Sequence, residues 1–260
     1  MSTFLTPEKR VGVTVSSRVD VLYTEVIDFV QKMVDPAKVE RDRMRHEKPA
    51  ISYGFDKSDM KKVHSEFDGH FSELSLEEGI KLAGKLIRSG NSTLIHIGIH
   101  LLGLRREELD PSHFKCFDEF VDHFVGWGNV DHFRSVLQSM LERHPHQVIE
   151  LLRKWNRSDN RWKRRASVVV FTRRIAEDGR FIDEALDLCG NLVWDEEDLV
   201  RKGVGWALKD NMRADKERVL EYIKSLRKSG VSSVITLYAI RDLKGKEREE
   251  VLRIRKGRQP

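Results

Sequence analysis

Cysteine is almost missing from this chain: two in 260 residues, Cys116 and Cys189, with no CxxC pair. That excludes a disulfide framework and points to a reducing compartment. Aromatic residues are also scarce, at 8%, so the five tryptophans are worth locating one by one. No apolar run approaches the ~20 residues that span a bilayer. The N-terminus has neither a basic start followed by an apolar stretch nor a small-residue cleavage site. A glycine-rich phosphate loop is absent. Metal-type histidine spacing is absent as well, apart from His96 and His100, which sit on an apolar helix and read as a satisfied pair. No cofactor and no metal are expected.

Sustained apolar/polar alternation, the mark of strands, is missing too. The short Val11–Val15 run has no partner strand and reads as an extended arm. Apolar residues instead recur every three or four positions almost throughout, which is the helical period. About a dozen helices follow, among them 92 to 104, 129 to 142, 159 to 176 and 196 to 211. Ser75-Leu76-Glu77-Glu78 reads as a capping box, Asp110-Pro111 puts proline at a first helical position, and Ser158-Asp159 precedes a basic helix. Helix pairs of this size joined by short loops suit an all-α superhelical solenoid of antiparallel, HEAT-like or ARM-type repeats. The expected organisation is an extended N-terminal arm over 1–17, one domain over 18–252 and a basic tail over 253–260.

The net charge of +5 is modest but unevenly placed. Arg153 to Arg174 holds nine Lys/Arg and one acid, whereas Ile175 to Asp198 holds nine acids and one base. A solvated surface usually mixes signs, so this segregation suggests one side turned to a polyanion and another to water.

Three segments carry candidate chemistry. Trp127 and Asp131 are four apart, on one helical face, and an indole beside a carboxylate suits something cationic. Around Arg165, the basic residues Arg161, Lys163 and Arg164 are interleaved with Trp155 and Trp162, a pattern expected of a phosphate-binding helix. Near Trp206, Gly203 and Gly205 interrupt a helical pattern that also carries Lys202 and Lys209. Each helical glycine costs roughly 1 kcal/mol, tolerated where a neighbouring helix or a ligand backbone must approach closely.

Together these segments resemble the AlkD-type DNA alkylation repair glycosylases. The resemblance rests on Trp127-x-x-Val130-Asp131, Ser158-Asp159-Asn160-x-Trp162-x-x-Arg165-Ala166 and Lys202-x-x-Gly205-Trp206-x-Leu208-Lys209, with weaker similarity at Tyr53-Gly54-Phe55-Asp56-Lys57. It implies a HEAT-like superhelix that hydrolyses the N-glycosidic bond of N7- and N3-alkylated purines in duplex DNA. Asp131 matches the family's catalytic aspartate, Trp127 and Trp206 its cleft aromatics, and Arg165 its arginine. Lys209 stands where arginine is common, so charge is kept and a bidentate grip is lost. The resemblance further implies that the lesion stays in or near the base stack and is read through its backbone. Gly128 and His132 depart from the pattern, which commonly has an acid and a small residue there. The expected protein is a monomer without an obligate protein partner or a membrane, cytoplasmic and nucleoid-associated. The competing readings are a non-catalytic repeat protein that binds damaged or branched DNA, and a protein-binding scaffold.

Overall fold

The computed structural model describes residues 17–44, 51–255 and 257. The proposed N-terminal arm, apart from Ser17, and half of the basic tail lie outside the described residues. Fifteen helices account for nearly all the regular structure described, with a single isolated bridge between Ile51 and Asn91. They are α1 (Arg18–Lys32), α2 (Pro36–Arg43), α3 (Lys57–Ser72), α4 (Leu76–Ile87), α5 (Ser92–Leu104), α6 (Phe114–Asp122), α7 (Trp127–Arg143) and α8 (Pro145–Asn156). The second half supplies α9 (Arg161–Val169), α10 (Arg174–Glu177), α11 (Ile182–Asn191), α12 (Asp198–Asn211), α13 (Lys216–Lys228), α14 (Ser233–Ala239) and α15 (Gly245–Arg253).

Local chemistry sets many of the boundaries. Ser75 and Glu78 form the reciprocal capping box that opens α4. Pro111 starts a single 3-10 turn that leads into α6, with the Asp110 carboxylate accepting from the Ser112 amide. Asn160, rather than Ser158 or Asp159, caps α9, its side chain accepting from the Trp162 amide at 2.8 Å.

The helices stack in two rows. In one, α3 packs on α5, α5 on α7, α7 on α9, α9 on α12 and α12 on α14. The partners α4, α8, α11 and α13 back this row, α4 against α5, α8 against α7 and α9, α11 against α9 and α12, and α13 against α12 and α14. This is the helical-repeat solenoid expected from the periodicity. A continuous core runs between the rows, from Val19 to Val251, with Phe71, Phe117, Phe133, Trp155 and Phe171 fully buried. A stack of this kind has no closed barrel or central pocket, so side chains for chemistry come from successive members of one row.

One expected helix is divided. The 159 to 176 stretch is α9, a turn over 170–173, and the short α10. Arg173, just before α10, has φ 55° and ψ −130°, outside the helical region, so α9 does not run on into α10. Side chains from both flanking row members satisfy the turn's main chain. Gln138 of α7 donates to the Val170 and Thr172 carbonyls, each at 2.8 Å, and Asn211 of α12 donates to the Phe171 carbonyl at 2.8 Å. The Asp210 carboxylate of α12 accepts from the Arg173 amide at 2.8 Å. A buried polar main chain needs partners, and α9 supplies them to the Val170 and Phe171 amides while the neighbouring helices serve the other groups named here.

Candidate active site

A cleft of about 660 Å³ opens along α7, α9, α12 and α14. Trp127 and Asp131 reach it from the first turns of α7, Arg165 from α9, Lys202, Trp206 and Lys209 from α12, and Tyr238 from α14. Two side chains that the sequence patterns did not single out, Arg173 and Asp210, line it as well. Arg161, Lys163 and Arg164 do not line it.

Asp131 and Arg165 form the centre. Arg165 Nε and Nη2 donate to Asp131 Oδ1 at 3.0 and 2.8 Å, and Nη2 also reaches Oδ2 at 3.0 Å. Burial pushes the Asp131 carboxyl above the ordinary carboxylate range, against the pull of Arg165, Arg134 and Arg173. A carboxylate has about four acceptor positions, so three bonds to Arg165 leave room for one more partner. Gly203 packs closely behind α9 here. A Cβ there would lie 3.2 Å from Val169 Cγ1 and 3.4 Å from both Cγ and Nη1 of Arg165.

The two tryptophans are held differently. Trp127 begins α7 and is 44% exposed, behind Gly126, which provides no side-chain cap. Trp206 is pinned. Its Nε1 donates to Asp210 Oδ2 at 2.9 Å, and the guanidiniums of Arg134 and Arg173 lie over the ring at 5.1 and 5.5 Å from its centroid. Asp210 is buried and also pairs with Lys209 at 2.7 Å. Lys209 reaches Asp242 at 3.0 Å as well. Burial works against the Lys209 charge, but Asp210 and Asp242 outweigh it and hold the ammonium above its ordinary range.

The remaining basic candidates on α9 all have partners within the protein. Lys163 is buried and bonds Asp118 and Asp122 of α6 at 3.1 and 2.8 Å. Arg164 pairs with Asp195 through Nε at 2.6 Å and donates to the Ser158 and Asp159 carbonyls, each at 2.9 Å. Arg161 stacks on Trp162 and bonds Glu197 at 3.4 Å. Part of the acidic segment therefore neutralises part of the basic one. Lys202 is exposed at the cleft.

Residues 29–243 match the family model described as DNA alkylation repair enzyme. The chain belongs to that family. Among solved structures, a predicted DNA alkylation repair enzyme from Enterococcus faecalis is similar, with a TM-score of 0.72 at 14% identity. The match covers 80% of this chain and 96% of that one, and at such identity it establishes the shared fold. No curated protein matches the sequence.

In this member of the DNA alkylation repair family, the two departures noted above meet at one residue. Beside Gly128, a Cβ would lie 3.4 Å from His96 Nε2, and the His132 ring is 5.1 Å from that of His96. His96 and His100 do not pair with each other, although they share a face of α5. His100 instead stacks on His64 of α3 at 3.6 Å and bonds Asp68 at 2.8 Å. Burial first, then its histidine neighbours led by His96, pushes His132 down to about 3. Helical spacing marked His96 and His100 on α5, but nothing local announced their actual partners, His132 and His64.

Neither Arg173 nor Asp210 belongs to a motif. Arg173 enters the cleft only because the 170–173 turn is clamped from both sides, and Asp210 is placed by a partner 37 residues away. The β-branched run Val168-Val169-Val170, mildly unfavourable in a helix, was the one local hint of a break.

Proposed function

We propose that the chain is a DNA glycosylase that hydrolyses the N-glycosidic bond of cationic N7- and N3-alkylpurines in duplex DNA. The observation that carries this reading is a carboxylate, Asp131, set by Arg165 in a cation-lined cleft beside an exposed indole. Membership of a DNA alkylation repair family makes DNA the substrate class.

An alkylated purine already carries positive charge, so its glycosidic bond is weak and the base needs little protonation to leave. The bond's electron pair departs with the purine and discharges that charge. Positive charge then develops on the deoxyribose, where a carboxylate ~4 Å away attracts it by about 4 kcal/mol at an effective dielectric near 20. Water adds its oxygen to the sugar carbon and passes a proton to Asp131 or to solvent. The acceptor position that Arg165 leaves open on Asp131 is where that water would be oriented. Trp127 offers its exposed face to the sugar. Trp206, already covered by two guanidiniums, serves as a fixed wall rather than a cation receptor. Lys202 and the arginines at the cleft would hold phosphates.

Asp131→Asn tests the assignment. Release of 7-methylguanine from methylated duplex should fall by about two orders of magnitude or more, as for loss of an electrostatic stabiliser, with binding to an abasic-site analogue retained. Undiminished release would remove Asp131 from the chemistry, and binding without release by the native protein would favour a non-catalytic DNA-binding role.

A further inference from the structure

Among the described residues six cations line the cleft, and four of them already have carboxylate partners. Arg165 bonds Asp131, Lys209 is shared by Asp210 and Asp242, Arg213 pairs with Glu177, and Arg241 reaches Asp242 at 3.4 Å. No described carboxylate forms an ion pair with the other two, Lys202 and Arg173. Lys202 offers a point charge on a flexible stem. Arg173 offers a planar fork of donors, the shape that matches a phosphate.

The backbone of Arg173 makes the choice of residue telling. Its φ of 55° with ψ of −130° lies far from the small left-handed basin that side chains tolerate, and it is a conformation suited to glycine. Each of the other five described positions with positive φ holds glycine. A turn that needed only this shape would be served better by glycine here as well. Bonds from two helices hold the arginine in place: the Asp210 carboxylate accepts from its amide and Gln138 donates to the preceding carbonyl, each at 2.8 Å. Strain of this kind persists where the surroundings over-determine it, and it gathers at ligand clamps.

Asp210 also aims the side chain. The oxygen that takes the Arg173 amide, Oδ2, accepts from Trp206 Nε1 too, and the Arg173 guanidinium lies over that indole. One buried carboxylate thus sets both the strained main chain and the surface on which the guanidinium rests. Arg134 adds positive charge over the same ring without lining the cleft, its Nη1 donating to Thr172 Oγ1 at 3.2 Å. Arg173 is near enough to Asp131 to draw that carboxyl downward, so an anion gripped by Arg173 would flank the sugar that faces Asp131.

We propose that Arg173 grips the DNA phosphate beside the damaged nucleotide, and that the clamped turn keeps its backbone strained in order to aim it there. The proposal rests on the reading of this cleft as the site that takes alkylated DNA.

Arg173→Gly separates a phosphate grip from a structural role. With the strain relieved, the denaturant midpoint should rise. For duplex carrying an abasic-site analogue, the slope of log binding constant against log salt should fall by about one unit. Arg173→Gln keeps a β-carbon at the strained position and should lower the slope equally, which serves if the glycine variant does not fold. An unchanged slope in either folded variant, or a glycine variant that unfolds more readily than the native chain, overturns the proposal. Replacing single phosphates next to the abasic site by neutral methylphosphonates locates the contact. At the phosphate held by Arg173, replacement should weaken native binding by about tenfold or more, the scale of a charged hydrogen bond, and should leave Arg173→Gln binding nearly unchanged. Equal losses in the two proteins at every flanking position overturn the assignment. A native chain without affinity for duplex would instead overturn the reading of the cleft on which it rests.

Discussion

Asp131 and Arg165 are 34 residues apart in sequence, yet their side chains share three hydrogen bonds. Each was legible as a candidate because its neighbours repeat a recognisable spacing, but their pairing was not, because it depends on how α7 and α9 stack. The pairing has a consequence for pH. The ionised carboxylate is the form that would stabilise a cationic sugar, so activity should fall as pH drops through the Asp131 pKa. Burial raises that pKa and Arg165 opposes the rise. Arg165→Met should therefore move the acid limb of the single-turnover pH–rate profile to higher pH, besides lowering the plateau. An unmoved limb would separate Asp131 ionisation from catalysis.

At the scale of elements, most helices were readable from period and caps, since an apolar stripe at 3.6-residue spacing needs no tertiary information. The exception, the break at 170–173, was unreadable because Gln138, Asp210 and Asn211, which close it, come from other helices. The two α12 glycines were correctly suspicious, and the structure separates their reasons. Gly203 lets α12 pack closely on Val169 and Arg165 of α9, while Gly205 lets α14 approach, since a Cβ there would lie 2.8 Å from Tyr238 Cβ and 3.0 Å from the Ile235 carbonyl oxygen. Gly205→Ala is expected to force α12 and α14 apart. Overpacking of this kind costs about 1 to 3 kcal/mol, and denaturant unfolding should register it despite the better helix propensity of alanine. A stabilised variant would show that α14 yields freely.

Across the whole molecule, the basic residues expected to form one DNA-binding surface divide in two. Lys163 and Arg164 are spent on Asp118, Asp122 and Asp195, and join helices to one another. Such pairing was invisible in a charge count, which registers sign and position along the chain but not which acids a fold brings opposite. Lys202, exposed at the cleft, can meet a phosphate. Lys202→Ala should lower the slope of log binding constant against log salt by about one unit. Lys163→Ala and Arg164→Ala should leave that slope unchanged and lower thermal stability instead. Equal slope changes in all three would restore the single-surface view.

The clamped 170–173 turn also bears on motion. A turn between two helices ordinarily frays by itself, but this one is tied to α7 through Gln138 and to α12 through Asp210 and Asn211. The Arg173 amide, held by Asp210, can open only when the turn parts from α12. In native-state hydrogen exchange, the Arg173 amide should thus be protected like a core amide, and released together with α12.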